Sequence, residues 1–235
     1  MKKYLCILFI AIMTINMASA QDAKDETTVT PKHTSKQERF IMDFGFDSWT
    51  KVPTGIKTDW LKSRRFEFYF MKDRAFAAGH MAIAYGLGMS FTNVNSNGSF
   101  AIANGNTHLL QIPDTLLPSQ NKLSTNFLEI PLELRFRTSP LHHGNRLKLA
   151  VGAKAGYLFQ DHTKIEDGAL KEKFYNTPNL NNFRFAYTAR IGYGKWSLMG
   201  YYGINSLIKK GKGDDQIIPF GVGIAFTPTF SGVSE

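Results

Sequence analysis

His80 and Ser90 are the two residues of this chain whose types suggest acyl chemistry, an imidazole to take a proton and a hydroxyl to attack. The surroundings do not support the pairing. No Gly-x-Ser-x-Gly elbow frames Ser90, and no Asp stands where it would orient the imidazole. His80 reads instead as a hydrogen-bonding residue. His142 and His143 are adjacent and offer two metal ligands on one turn, too few for a tetrahedral site. His33, His108 and His162 are scattered through segments that read as flexible. Lys209-Lys210-Gly211-Lys212-Gly213 is glycine-rich and basic, but it lacks the Ser or Thr and the strand-to-helix setting of a phosphate cradle. It reads as a solvated loop touching surface glycolipid. No catalytic residue, metal ligand or cofactor is expected, and the chain is expected not to be an enzyme.

The remaining chemistry is ionic. Asp43, Asp47, Glu67, Glu129 and Glu133 recur with Arg65, Arg135, Arg137, Lys148, Lys154, Arg184 and Arg190, each inside a segment whose alternate positions are apolar. In the stretch from Phe127 to Arg137, Leu128, Ile130, Leu132, Leu134 and Phe136 share one parity and Glu129, Glu133, Arg135 and Arg137 the other. Successive side chains of a strand point to opposite faces, so this segment has an apolar face and an ionic one.

Eight segments alternate in this way, over about residues 39–48, 64–71, 79–92, 127–137, 146–160, 183–193, 196–205 and 218–226. The connections run long, short, long, short, long, short, long, with tight turns read at Lys72-Asp73-Arg74 and at Gly194 and a short one at residues 139–145. That pattern predicts an all-β, eight-stranded antiparallel transmembrane β-barrel of the outer membrane, an up-and-down meander with both termini in the periplasm and long loops outside the cell. The stretch 104–120, with two Leu-Leu pairs, is less polar than a free loop requires, and is read as folding over the barrel mouth or meeting a partner.

A soluble barrel would turn its apolar face inward. The apolar faces hold roughly forty residues, mostly Phe, Tyr, Leu, Ile and Met, and an eight-stranded interior is only just wide enough for side chains to fill. The other face is rich in Gly, Ala and Ser, which suits a cramped lumen. The apolar face carries no charge, as lipid demands, since a charge at mid-bilayer costs roughly 2–4 kcal/mol. Asp43, Glu67, Glu129, Glu133, Arg135, Arg137, Lys148, Lys154, Arg184 and Arg190 are therefore expected to form a lumen ionic network, because unpaired charges there would be expensive.

Residues 1–20 have the layout of a signal peptide: Lys2 and Lys3, an apolar run from Tyr4 to Ile15, and Ala18-Ser19-Ala20 before a mature start at Gln21. Cys6, the single cysteine, lies inside that run, so no disulfide is expected in the mature chain. Residues 21–38 read as a flexible periplasmic segment and 39–230 as the barrel domain. The formal charge of +9 falls to about +7 without the signal peptide. An exported chain with no nucleic-acid motif has little use for that charge except solvation or contact with anionic headgroups.

Gly86-Leu87-Gly88-Met89-Ser90-Phe91-Thr92-Asn93, the Phe127–Arg135 segment with its Glu129-Ile130-Pro131, Gly152-Ala153-Lys154-Ala155-Gly156-Tyr157 and Pro219-Phe220-Gly221-Val222-Gly223-Ile224 resemble the PorT-like outer-membrane β-barrel family of the Bacteroidetes. The resemblance covers nearly all of the mature chain, and its motifs are structural. It implies a Gram-negative outer-membrane barrel with a structural or interaction role, in some members within a protein secretion and gliding machinery. Expected partners are outer-membrane lipids and other envelope or secretion proteins met through the extracellular loops. The rival readings are an enzyme modifying outer-membrane lipid and a small channel.

Overall fold

The computed structural model of the chain describes residues 40–76, 80–116, 118–139, 141, 145–168 and 170–228. The signal peptide and lead-in expected over residues 1–38, and the His142-His143 turn, lie outside the described residues. Within them the strands are β1 (Phe40–Thr50), β2 (Thr58–Phe76), β3 (Met81–Ser96), β4 (Gly98–Ala103), β5 (Asn106–Gln111), β6 (Gln120–Arg137), β7 (Leu147–Asp167), β8 (Leu170–Tyr175), β9 (Phe183–Tyr193), β10 (Trp196–Gly203) and β11 (Ile218–Phe226). Among the described residues no helix is long and apolar enough to cross a membrane, and a single short 3-10 turn spans Asp114–Leu116.

Eight strands close into one antiparallel barrel in the order β1-β2-β3-β6-β7-β9-β10-β11, and β11 returns to β1 with Met42 opposite Phe226 and Thr50 opposite Ile218. All eight alternating segments are strands, and each barrel strand pairs with its neighbours in chain order, as an up-and-down meander requires. The exterior is apolar: Phe44, Ile130, Leu132, Tyr187, Leu198 and Ile224 are exposed on it. Such a surface is stable only against lipid. Ring pairs flank the band. Trp60 sits 6.3 Å from Phe46 and 5.8 Å from Phe220 toward the extracellular side, and Trp196 lies 4.9 Å from Phe226 at the periplasmic end.

The ten residue steps from Arg137 up to Phe127 climb about 25 Å at ordinary barrel tilt, the height of an outer-membrane apolar band. Several strands outrun it. β3, β6 and β7 continue beyond the bilayer, and a register shift at Asn126/Phe127 marks the exit of β6 and β7. Segments expected to be loops are therefore partly strand: residues 93–96 extend β3, 161–167 extend β7, β8 pairs with that extension, and β4 and β5 form a separate hairpin. His108 and His162 accordingly lie on β5 and β7 rather than in flexible segments.

At the periplasmic end, Lys72-Asp73-Arg74 is not a turn. β2 runs on to Phe76, with Asp73 opposite Ala84 on β3. The triplet mimics a turn in composition, yet it keeps the strand's alternation. Lys72 and Arg74 point outward, where long cations reach headgroups, and Asp73 points in. The short turn expected at Gly194 is present, with Gly194 at φ 61° between β9 and β10.

The ion-filled lumen and the extracellular cap as candidate functional site

Within the lumen, Arg65 on β2 sits between two acids of β1. Its Nη2 and Nε donate to Asp43 Oδ1 at 2.6 and 3.1 Å, and its Nη1 to Asp47 Oδ1 at 2.8 Å. Tyr201 on β10 donates to Asp47 Oδ2 at 2.6 Å, and its ring faces the Arg65 guanidinium at 4.8 Å and the Lys154 ammonium at 4.6 Å. Space for this comes from a missing side chain: a Cβ on Gly221 would stand 2.1 Å from Asp47 Oδ1 and 2.2 Å from an Arg65 nitrogen.

Arg65 lies 3.5 Å from Glu67, which leads into a second cluster. Lys154 on β7 donates to Glu67 Oε1 at 2.6 Å and lies 3.2 Å from Glu129 Oε2. Arg184 on β9 donates to Glu129 Oε1 at 2.6 Å and to Ser90 Oγ at 2.9 Å, with its guanidinium 4.0 Å from the Phe127 ring. The Tyr69 hydroxyl lies between the two acids, 2.5 Å from Glu129 and 2.9 Å from Glu67.

A third cluster lies toward the periplasm. Glu133 accepts from Arg135 and from Arg190, both at 2.8 Å, and Asp73 binds Arg135 at 2.5 Å and also Arg137. Lys148 faces the lumen opposite Arg137 at the same end. Strand pairing thus brings together acids of β1, β2 and β6 with bases of β2, β6, β7 and β9. Six carboxylates and six cations share these contacts, so their charge cancels while each group keeps hydrogen-bond partners. Asp73 is the member that reading the sequence missed, and the parity carried down from Phe70 was the signal that placed it inside.

His80 and Ser90 do not meet. His80 Nδ1 is 3.0 Å from the Arg137 carbonyl at the periplasmic rim, whereas Ser90 donates to Glu67 Oε1 in mid-lumen. Ten strand residues separate them, about 33 Å. Among the described residues no group of three His, Cys, Asp or Glu is placed to hold a metal ion.

Above the bilayer the loops pack into a cap. Trp49, Ile56, Val94, Leu109, Leu123, Leu180, Ile208 and Ile217 form its buried core. Of the stretch 104–120, β5 folds into this cap and inserts Leu109. The basic loop is anchored rather than merely solvated. Asp214 accepts from the Leu109 N–H at 2.7 Å and contacts His108 at 3.3 Å, and Gly213, at φ 104°, approaches Thr107 so closely that a Cβ there would stand 1.9 Å from its carbonyl oxygen. Between the β4–β5 hairpin and the β6–β7–β8 ribbon lies a cleft of about 290 Å³, lined by Phe100, Ile102, Leu123, Ile165, Phe174 and Tyr175 among others.

On the ribbon's outer face, burial and the nearby Lys173 and Lys122 ammoniums hold the His162 imidazole below its ordinary value of 6.5. Lys164 on the same strand acts the same way, Asp161 opposes, and the Tyr175 ring stands 5.5 Å away. A depressed folded pKa means that the unfolded ribbon binds the proton more readily, so this contribution to stability is present above pH 6.5 and fades as the pH falls from there through the folded value. Protection factors for amide exchange across β7 and β8, taken against the intrinsic rate at each pH, should therefore fall on acidification through that window, and His162→Gln should flatten the response. Unchanged protection in the native chain would contradict it.

A closed eight-stranded wall with an apolar exterior, aromatic girdles and a charged interior defines an outer-membrane β-barrel. The chain belongs to the outer membrane protein beta-barrel domain family, whose model matches residues 44–209, from β1 through β10. A comparison with curated proteins finds no match.

Proposed function

We propose that this barrel is a non-enzymatic structural and interaction protein whose working surface is the extracellular cap, met by another envelope protein. The observation that carries the reading is the lumen filled with interlocked ion pairs beneath a packed cap. A pore needs a continuous aqueous path, and an eight-stranded interior occupied by Arg, Lys, Glu and Tyr side chains leaves little room for one. The separation of His80 from Ser90, each engaged with other partners, supports a non-enzymatic role. The resemblance to the PorT-like barrels of the Bacteroidetes supports a place in a secretion or gliding machinery of a Gram-negative envelope, after export through the signal peptide. Crosslinking in intact outer membranes followed by pull-down of the full chain tests this directly. A reproducible envelope partner lost on substituting cap residues is the expected result. An altered acyl pattern of lipid A in a deletion strain, or discrete conductance in planar bilayers, would overturn it.

A further inference from the structure

The outward face of the β6–β7–β8 ribbon carries an arrangement that the cap's packing does not explain. Lys122 on β6 is the direct cross-strand partner of Lys164 on β7, which is the direct partner of Lys173 on β8. Three lysines thus stand side by side in one lateral row, at strand spacings of about 5 Å. Like charges directly opposite each other destabilise a sheet. The row farther from the membrane is Gln120, Glu166 and Lys171, and the row nearer to it is Ser124, His162 and Tyr175. Glu166 lies 2.5 Å from Lys164 and 3.8 Å from Lys171, and among the described residues it is the carboxylate in ion-pair contact with this face. One acid against four lysines leaves a concentrated positive field. The ammonium of Lys122 is itself pushed down by burial and by Lys164.

Continuity with the lipid-facing wall says what would neutralise it. The outward parity of β6 descends from Lys122 through Ser124 and Asn126 to Leu128, Ile130 and Leu132, which face the acyl chains. Six residues separate Lys122 from Leu128, about 20 Å along the strand and about 15 Å of height at barrel tilt. A glycolipid whose chains lie on Leu128 would carry its saccharide to that level. Tyr157, the partner of Leu128, and Phe159 above it are exposed on the wall of β7, and Tyr175 is exposed beside the lysine row.

We propose that the row Lys122, Lys164 and Lys173 binds the phosphate groups on the saccharide headgroup of an outer-leaflet glycolipid. Bound anion relieves the cross-strand repulsion, so binding and ribbon order are linked. The inference rests on the outward orientation of this face and not on the protein partner proposed above, so a failed pull-down leaves it standing.

The test uses the full chain in detergent micelles, with phosphorylated lipopolysaccharide, its enzymatically dephosphorylated form and inorganic phosphate as probes. Expected is saturable binding of the phosphorylated glycolipid, at least ten-fold weaker in Lys122→Gln/Lys164→Gln/Lys173→Gln and for the dephosphorylated form, and weakened by salt. The comparison triple Lys51→Gln/Lys57→Gln/Lys195→Gln, which removes the same charge from exposed loop positions away from the ribbon, should stay within two-fold of the native chain. Equal binding by the row triple, or an equal loss in the loop triple, would overturn the proposal. Inorganic phosphate binding as tightly as the glycolipid would overturn the headgroup assignment. Heat-modifiable gel migration checks that each variant folds. Lys173→Gln alone supplies an independent readout: without lipid it should slow amide exchange in β8, and faster exchange would count against stored repulsion.

Discussion

Replacing Arg65 with Met is expected to destabilise the barrel by about 3–5 kcal/mol, the cost of breaking a buried ion pair from one side. Methionine preserves much of the stem's volume, so the loss is chiefly electrostatic. Asp43 and Asp47, both essentially without solvent contact, would lose the guanidinium that each binds within 3 Å. Tyr201 would keep its bond to Asp47 and the Lys154 ammonium over its ring, but lose the Arg65 guanidinium there. Urea titration in detergent, followed by the shift from folded to unfolded migration on a gel, reads the effect as a lower midpoint. Arg65→Met/Asp43→Asn/Asp47→Asn separates charge from packing, because it removes the stranded carboxylates together with their partner. Most of the lost stability should return. A single variant within about 1 kcal/mol of the native chain would mean that water reaches Asp43 and Asp47, and that the lumen is more open than its ion pairs imply.

The wall of this barrel was legible in the sequence because the side-chain period of a strand is 2 and lipid tolerates few charges on its face, the outward Lys72 and Arg74 lying toward the periplasmic end of β2. Leu128 to Phe136 illustrates this: one alternation identifies a strand, a lipid face and a lumen face together. The pairing partners were less accessible. That Lys154 of β7 reaches Glu67 of β2 depends on the diameter and tilt of the closed barrel, which no local pattern encodes. Asp73 was hidden by its own neighbours, since a charge triplet has the composition of a turn even while it alternates like a strand. The cap was the least visible part. Its core draws single residues from distant connections, Trp49, Leu109, Leu180 and Ile208 among them, with too few in any one segment to form a periodic signal. Strands above the bilayer also meet water on their outer face, so the strict apolar parity that marks them below fades at Asn126 and above.

Leu132→Arg tests the orientation of the wall on which all of this depends. Leu132 lies midway between Arg137 and Phe127 on β6, opposite Tyr85 and Ala153, and 55% of its surface is exposed. If that surface meets lipid, an arginine there sits near the bilayer midplane and should cost about 2–4 kcal/mol. Phe76→Arg is the matched control, because Phe76 ends β2 at the periplasmic rim, close to the outward Lys72 and Arg74. A charge near the interface costs only about 0–1 kcal/mol. The two variants carry the same new side chain, so the difference between their unfolding midpoints in phospholipid vesicles isolates depth from chemistry. The expected order is native, then Phe76→Arg slightly lower, then Leu132→Arg far lower, with the gap narrowing in short-chain detergent as water reaches the wall more easily. Equal small effects at both positions would describe a protein whose apolar face does not span a bilayer, and would remove the basis for assigning the charged face to the lumen.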